Sequence, residues 1–62
     1  MNTIKSDVAL ATKFDRYDAA NEMAFRINCD DPEWLYGVTL SGDHQHWVIA
    51  VYDDSSIFLG YL

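Results

Sequence analysis

"HWVIAVYDDSSIFLGYL" (residues 46–62) reads as two strands folded about one turn, and its pattern decides the fold. Trp47, Ile49 and Val51 alternate with Val48, Ala50 and Tyr52, the period of a strand with two distinct faces. Asp53, Asp54, Ser55 and Ser56 interrupt the apolar run with turn-forming side chains. Beyond them Ile57, Leu59 and Tyr61 alternate with Phe58 and Leu62. Upstream, "SGDHQ" (41–45) has the composition of a five-residue hairpin loop. "EWLYGVTL" (33–40) places Trp34, Tyr36, Val38 and Leu40 on one side. Three consecutive strands joined by short turns make an antiparallel meander.

The segment before the meander is helical in period. In "DRYDAANEMAFRIN" (15–28), Ala20, Met23, Ala24 and Ile27 recur at the i, i+3, i+4, i+7 spacing of one helix face. Asp15 is the expected N-cap, and Asp18 adds an acid to the first turn, where the helix dipole favours it. Pro32 disfavours helical geometry at Asp31 and closes the segment. "VALATKF" (8–14) alternates Val8, Leu10, Thr12 and Phe14 with smaller or polar residues and is read as a further strand, its alanines leaving continuation into the helix as the alternative. "MNTIKS" (1–6) reads as frayed or weakly extended. The expected architecture is therefore a single α+β domain over 1–62, β-α-β-β-β, with the helix across one face of the sheet. The other face would carry Leu35, Val48, Ala50, Tyr52, Phe58 and Leu62 with Thr39 and His46. That much exposed apolar surface commonly gains a partner, and the last strand offers an edge for pairing.

Composition narrows the function classes. With 50% apolar and 15% aromatic residues in 62, the chain has the means to build a core rather than stay disordered. No stretch reaches the roughly 20 apolar residues of a membrane span, and the N-terminus lacks a basic-then-apolar leader pattern. Cys29 has no second cysteine to pair with, which fits a reducing, cytoplasmic setting. Ten Asp and Glu against four Lys and Arg give a net charge of −6 and a pI near 4.3. Such a field repels nucleic-acid phosphates and anionic lipids and favours basic protein surfaces.

The doublets Asp30-Asp31 and Asp53-Asp54 fit turns on local grounds, since an aspartate side chain bonds nearby backbone N–H groups. Neither supplies the alternating ligands, central glycine and terminal glutamate of a calcium loop. His44 and His46 share a spacing that a zinc site could use with Asp43 or Cys29, but three converging ligands are not evident. Ser41, Ser55 and Ser56 lack a glycine-framed elbow, and the acids beside Cys29 disfavour its thiolate. No phosphate-cradling glycine loop is present. Neither enzyme chemistry nor a bound metal or cofactor is expected.

Charge on the helix is more informative. At 100° per residue from Ala20, Asp15, Asp18 and Glu22 fall at about 220°, 160° and 200°, opposite the apolar stripe, with Phe25 beside them at about 140°. Asp30, Asp31 and Glu33 would extend this surface past the helix end. Asp15, Asp18, Glu22, Phe25, Asp30, Asp31 and Glu33 are the expected partner-binding residues, although a polar outer face and a Glu22–Arg26 pair are also what any amphipathic helix shows.

In its size, its acidity and the row Asp15, Asp18 and Glu22, the chain resembles the small acidic anti-CRISPR proteins. Several of these present carboxylates to the nucleic-acid-binding sites of CRISPR effector complexes. From "DRYDAANEMAF" to "WVIAVYDDSSIFLGYL" the order of elements is also similar to small bacterial domains that run helix, then meander. The first resemblance implies an inhibitor or regulator, of phage type, that occupies a basic nucleic-acid-binding site of another protein, such as a CRISPR effector subunit. The alternative is a structural or adaptor module acting through its exposed sheet face as a homodimer.

Overall fold

The computed structural model describes residues 4–62. One helix, α1 (Tyr17–Asp30), packs on a three-stranded antiparallel sheet of β1 (Leu35–Leu40), β2 (Trp47–Tyr52) and β3 (Phe58–Tyr61), in the order β1-β2-β3. The fold class is α+β, with the helix on one face of a meander, as the residue periods require.

The β1–β2 register pairs Leu35 with Tyr52, Tyr36 with Val51, Val38 with Ile49 and Leu40 with Trp47. Paired residues share a face, so Tyr36, Ile49 and Val51 gather with Ala24 and Leu62 into the core, flanked by Ile4, Phe14, Ile27, Trp34 and Val38. From the helix, Ala20 and Ala24 are buried, while Met23 lies at the margin of the stripe and is 42% exposed. Alanines let the helix backbone approach the sheet closely.

The outer edge of β1 is partly closed by a side chain. Asn28 Nδ2 donates to the Tyr36 carbonyl and Asn28 Oδ1 accepts from the Tyr36 N–H, each at 3.3 Å. The amide thus occupies the place a neighbouring strand residue would take, blunting an exposed edge and tying the helix end to the sheet.

Several expectations are corrected. Residues 8–14 are not a strand. Asp7 accepts a hydrogen bond from Ala9 N–H at 3.0 Å and caps a 3-10 turn over Val8–Leu10. The Lys13 ammonium then donates to the carbonyls of Val8, Ala9 and Ala11. These local bonds compete with a ladder, and the segment meets the sheet only at its end, where Thr12 N–H donates to Leu62 O and Phe14 exchanges two backbone bonds of 2.8 Å with Trp47.

The helix starts one residue later than expected. Arg16 holds the N-cap position in extended geometry without a side-chain cap, so Asp15 is not the cap, and the helix runs on through Cys29 and Asp30. The hairpin loop is also longer than expected, because Leu40 pairs with Trp47 and His46 stays in the turn.

The third strand carries a bulge that reverses its faces. Tyr52 opposes Phe58 while Val51 opposes Gly60, which leaves Leu59 as an extra residue. A single added residue exchanges inward and outward positions beyond it. Tyr61 therefore opposes Ala50 on the outer face, and Leu62, whose N–H bonds Ile49 O at 3.0 Å, enters the core. Ile57 and Leu59, expected inside, are exposed.

The outer sheet face is less bare than its sequence suggests, since Val48 and Ala50 are buried. The free edge expected at the last strand is also taken in part, because Lys5 exchanges backbone bonds of 2.7 and 2.8 Å with Tyr61. Lys5 lies in the stretch read as frayed; residues 1–3 of that stretch fall outside the described residues.

Candidate functional site

Two groups of expected partner-binding residues separate in space. The first lies on the outer side of α1. Asp18 and Glu22 are exposed in the first and second turns, and the Phe25 ring is 69% exposed beside them. Each acid has a cation at hand: Arg16 reaches Asp18 at 3.1 Å, and Arg26 reaches Glu22 at 2.8 Å. Both pairs are well solvated, so each is worth less than about 1 kcal/mol, yet they cancel the local charge. Asp15 does not continue the row. It precedes the helix, and its carboxylate lies 3.5 Å from His46 Nε2.

The second group is at the opposite end. Asn28 fixes the helix C-terminus beside Tyr36, so Asp30, Asp31 and Glu33 cross from α1 to the start of β1. Asp31 Oδ2 accepts from the Tyr36 hydroxyl at 3.4 Å. The pairing of Leu35 with Tyr52 brings the β2–β3 turn, with Asp53 and Asp54, to this same end. Among the described residues no lysine, arginine or histidine comes within ion-pair distance of these five carboxylates. Of the other five, Asp18 and Glu22 pair with Arg16 and Arg26, and Asp15 and Asp43 face His46. The C-terminal pole of the α1 dipole adds further negative potential where Asp30 and Asp31 lie.

Within this end the two doublets differ. Asp53 is a turn residue: its Oδ1 accepts from Ser55 and Ile57 N–H groups at 2.9 Å, and Ser56 adopts φ 66°. Asp54 projects into solvent. From sequence alone Asp53-Asp54 reads as a turn and lies outside the expected surface. The missing signal was register: a loop centred between Leu40 and Trp47 pairs position 35 with 52 and joins the doublets.

The β1–β2 loop holds the remaining polar cluster. Ser41 Oγ donates to Asp43 Oδ1, the Gln45 N–H donates to the same oxygen at 2.9 Å, and His46 Nδ1 lies 3.4 Å from Asp43 Oδ2. The order is unlike that of a nucleophile and its base, because the buried Ser41 gives its proton to the carboxylate rather than to the histidine. Among the described residues no group of three or more His, Cys, Asp or Glu converges as a metal site. A groove of about 280 Å³ is bounded chiefly by Phe14, Met23, Ile27 and Leu62. It is smaller than most ligand pockets. No helix among the described residues is long and apolar enough to cross a membrane.

The Ser41 hydroxyl, then the Gln45 N–H, hold the Asp43 carboxyl at about 2, below its ordinary 3.8. A carboxyl whose folded value is depressed stabilises the fold above the unfolded value and stops doing so as pH falls through the folded one. The Asp43 contribution is accordingly complete above about pH 4 and gone near pH 2. Urea midpoints of the wild type and Asp43→Ala, measured across this range, should differ at pH 5 and converge at the acid end. A constant gap would refute the assignment.

Comparison with family models, curated proteins and solved structures finds no match to the chain.

Proposed function

We propose that the protein binds a basic surface of another protein and occludes it, acting as an acidic inhibitor or regulator at a nucleic-acid-binding site. The supporting observation is the segregation of charge: Asp30, Asp31, Glu33, Asp53 and Asp54 occupy one end with no cation in pairing distance among the described residues. An unpaired, same-sign cluster on a rigid end steers a basic partner into contact and leaves its lysines and arginines unavailable to phosphates. The helix flank of Asp18, Glu22 and Phe25 stands apart from this end, and its acids are already matched by Arg16 and Arg26. The resemblance to small anti-CRISPR proteins makes a CRISPR effector subunit the first partner to try.

Competition measures this directly. A labelled DNA duplex bound to a CRISPR effector complex, or to another basic DNA-binding protein, should be released by the acidic protein at low salt. Release should fade as salt screens the charges over about 8 Å at physiological ionic strength. Reversing the exposed Asp30 and Glu33 to lysine should abolish release without lowering the unfolding temperature. The parallel reversal of Asp18 and Glu22 should weaken it less. Undiminished release by the first variant would refute the proposal.

A further inference from the structure

The acidic end carries a second feature that charge alone does not explain. Leu35, Tyr52 and Phe58 form the last rung of the sheet, paired directly across β1, β2 and β3 on the outer face. The Phe58 ring meets Tyr52 edge-on at 5.8 Å and Tyr61 at 5.1 Å, so three aromatic rings run in one row. The bulge at Leu59 creates this row, because it turns Tyr61 outward beside Phe58. Leu35 and Phe58 each keep about half their surface exposed, at 51% and 49%. Glu33 lies two residues before Leu35, and Asp53-Asp54 follow Tyr52 directly, so carboxylates border the row where it reaches the end of the sheet.

An apolar patch of this kind has three obvious occupants: a second copy, an apolar segment, or a cationic one. Charge decides among them. A second copy would bring another −6 to the same place, and an uncharged segment would leave the bordering carboxylates partly desolvated without partners. A guanidinium satisfies both features, stacking its plane on an aromatic face while its N–H groups meet carboxylates. An ammonium serves the carboxylates but stacks less well.

We propose that the row Leu35, Tyr52, Phe58 and Tyr61 is the anchoring surface for arginine side chains on a basic segment of the partner protein, with Glu33, Asp53 and Asp54 as its charged border. This rests on the proposed function above and specifies how the partner is recognised.

The test uses oligo-arginine and oligo-lysine peptides of equal length, titrated into the full chain at low salt and followed by amide NMR. The arginine peptide should bind about tenfold more tightly, the range set by a partly desolvated stacking contact. The shifted resonances should centre on Leu35, Tyr52, Phe58 and Tyr61. Phe58→Leu keeps the site apolar and removes the ring, so it should abolish the preference for arginine while the lysine peptide binds as before. Equal affinity of the two peptides, shifts centred on Asp18 and Phe25, or a preference that survives Phe58→Leu would each overturn the anchoring role and leave the acidic-surface reading standing. Failure of both peptides to bind would overturn both. A dimer in sedimentation that Phe58→Leu dissolves would show that the row serves a second copy and would likewise overturn the proposal.

Discussion

Replacing Gly60 by alanine should cost about 3 kcal/mol or more and lower the unfolding temperature by roughly 15 °C. Two independent penalties add there. The residue has φ 153°, a conformation that side chains rarely adopt. A Cβ at this position would also stand 2.5 Å from the Lys5 carbonyl oxygen and 2.5 Å from Ile4 Cγ2. The methyl of Ile4 can move. The Lys5 carbonyl cannot move cheaply, because it accepts from the Tyr61 N–H at 2.8 Å and holds the N-terminal segment on β3. For a domain of 62 residues, whose whole stability is roughly 3–9 kcal/mol, the loss approaches the total. Gly42→Ala is the natural control, since its added carbon would meet only Val8 Cγ1 at an ordinary 3.5 Å. Thermal melts of the two variants beside the wild type decide the matter. Equal, small shifts would mean that Lys5 does not pack over Gly60.

How far the fold is legible in the sequence can be judged from where local chemistry and period agree. They agree on α1, where Ala20, Ala24 and Ile27 face the sheet, and on the first hairpin, where Tyr36 and Val38 meet Val51 and Ile49. They disagree in residues 8–14. The alternation of Val8, Leu10 and Thr12 has the period of a strand, but the Asp7 cap and the three carbonyls gathered by Lys13 satisfy the backbone locally, and Leu10 ends up exposed. At Asp15 a residue type suited to capping is displaced because Arg16 takes the cap geometry in extended form.

The candidate surface divides in the same way. Asp30, Asp31 and Glu33 are legible as a continuation beyond the helix, because they are contiguous in the chain. Their union with Asp53 and Asp54 is a long-range fact of strand register. The separation of Asp15 from Asp18 and Glu22 follows from a cap at Arg16, which leaves Asp15 outside the helix and off any wheel drawn for it. The aromatic row is harder still. Strict alternation sends Tyr61 inward and Leu62 outward, and only the extra residue at Leu59 reverses them. Gly60, next to Leu59, is the one local sign of the irregularity, since glycine inside a strand often marks a bulge.

The bulge therefore makes a quantitative claim that a pair of leucine substitutions can decide. Leu62 is 8% exposed and packs with Ile49, Val51, Tyr36 and Ala24, whereas Leu59 is 37% exposed and outside that cluster. Leu62→Ala should cost about 2–3 kcal/mol, the transfer loss plus a partly relaxed cavity at the margin of the core. Leu59→Ala should cost less than about 1 kcal/mol, as for other half-exposed positions. Under simple alternation the order would be inverted, with Leu59 facing the helix and Leu62 facing solvent. The backbone of Leu62 keeps its bonds to Ile49 and Thr12 in both variants, so the comparison isolates the side chains. Urea midpoints for the two proteins give the ranking, and equal slopes would show that the unfolded states are alike. If Leu59→Ala proves the more damaging, β3 runs without the bulge. Tyr61 then turns inward, and the row of three rings beside the acidic end disappears with it.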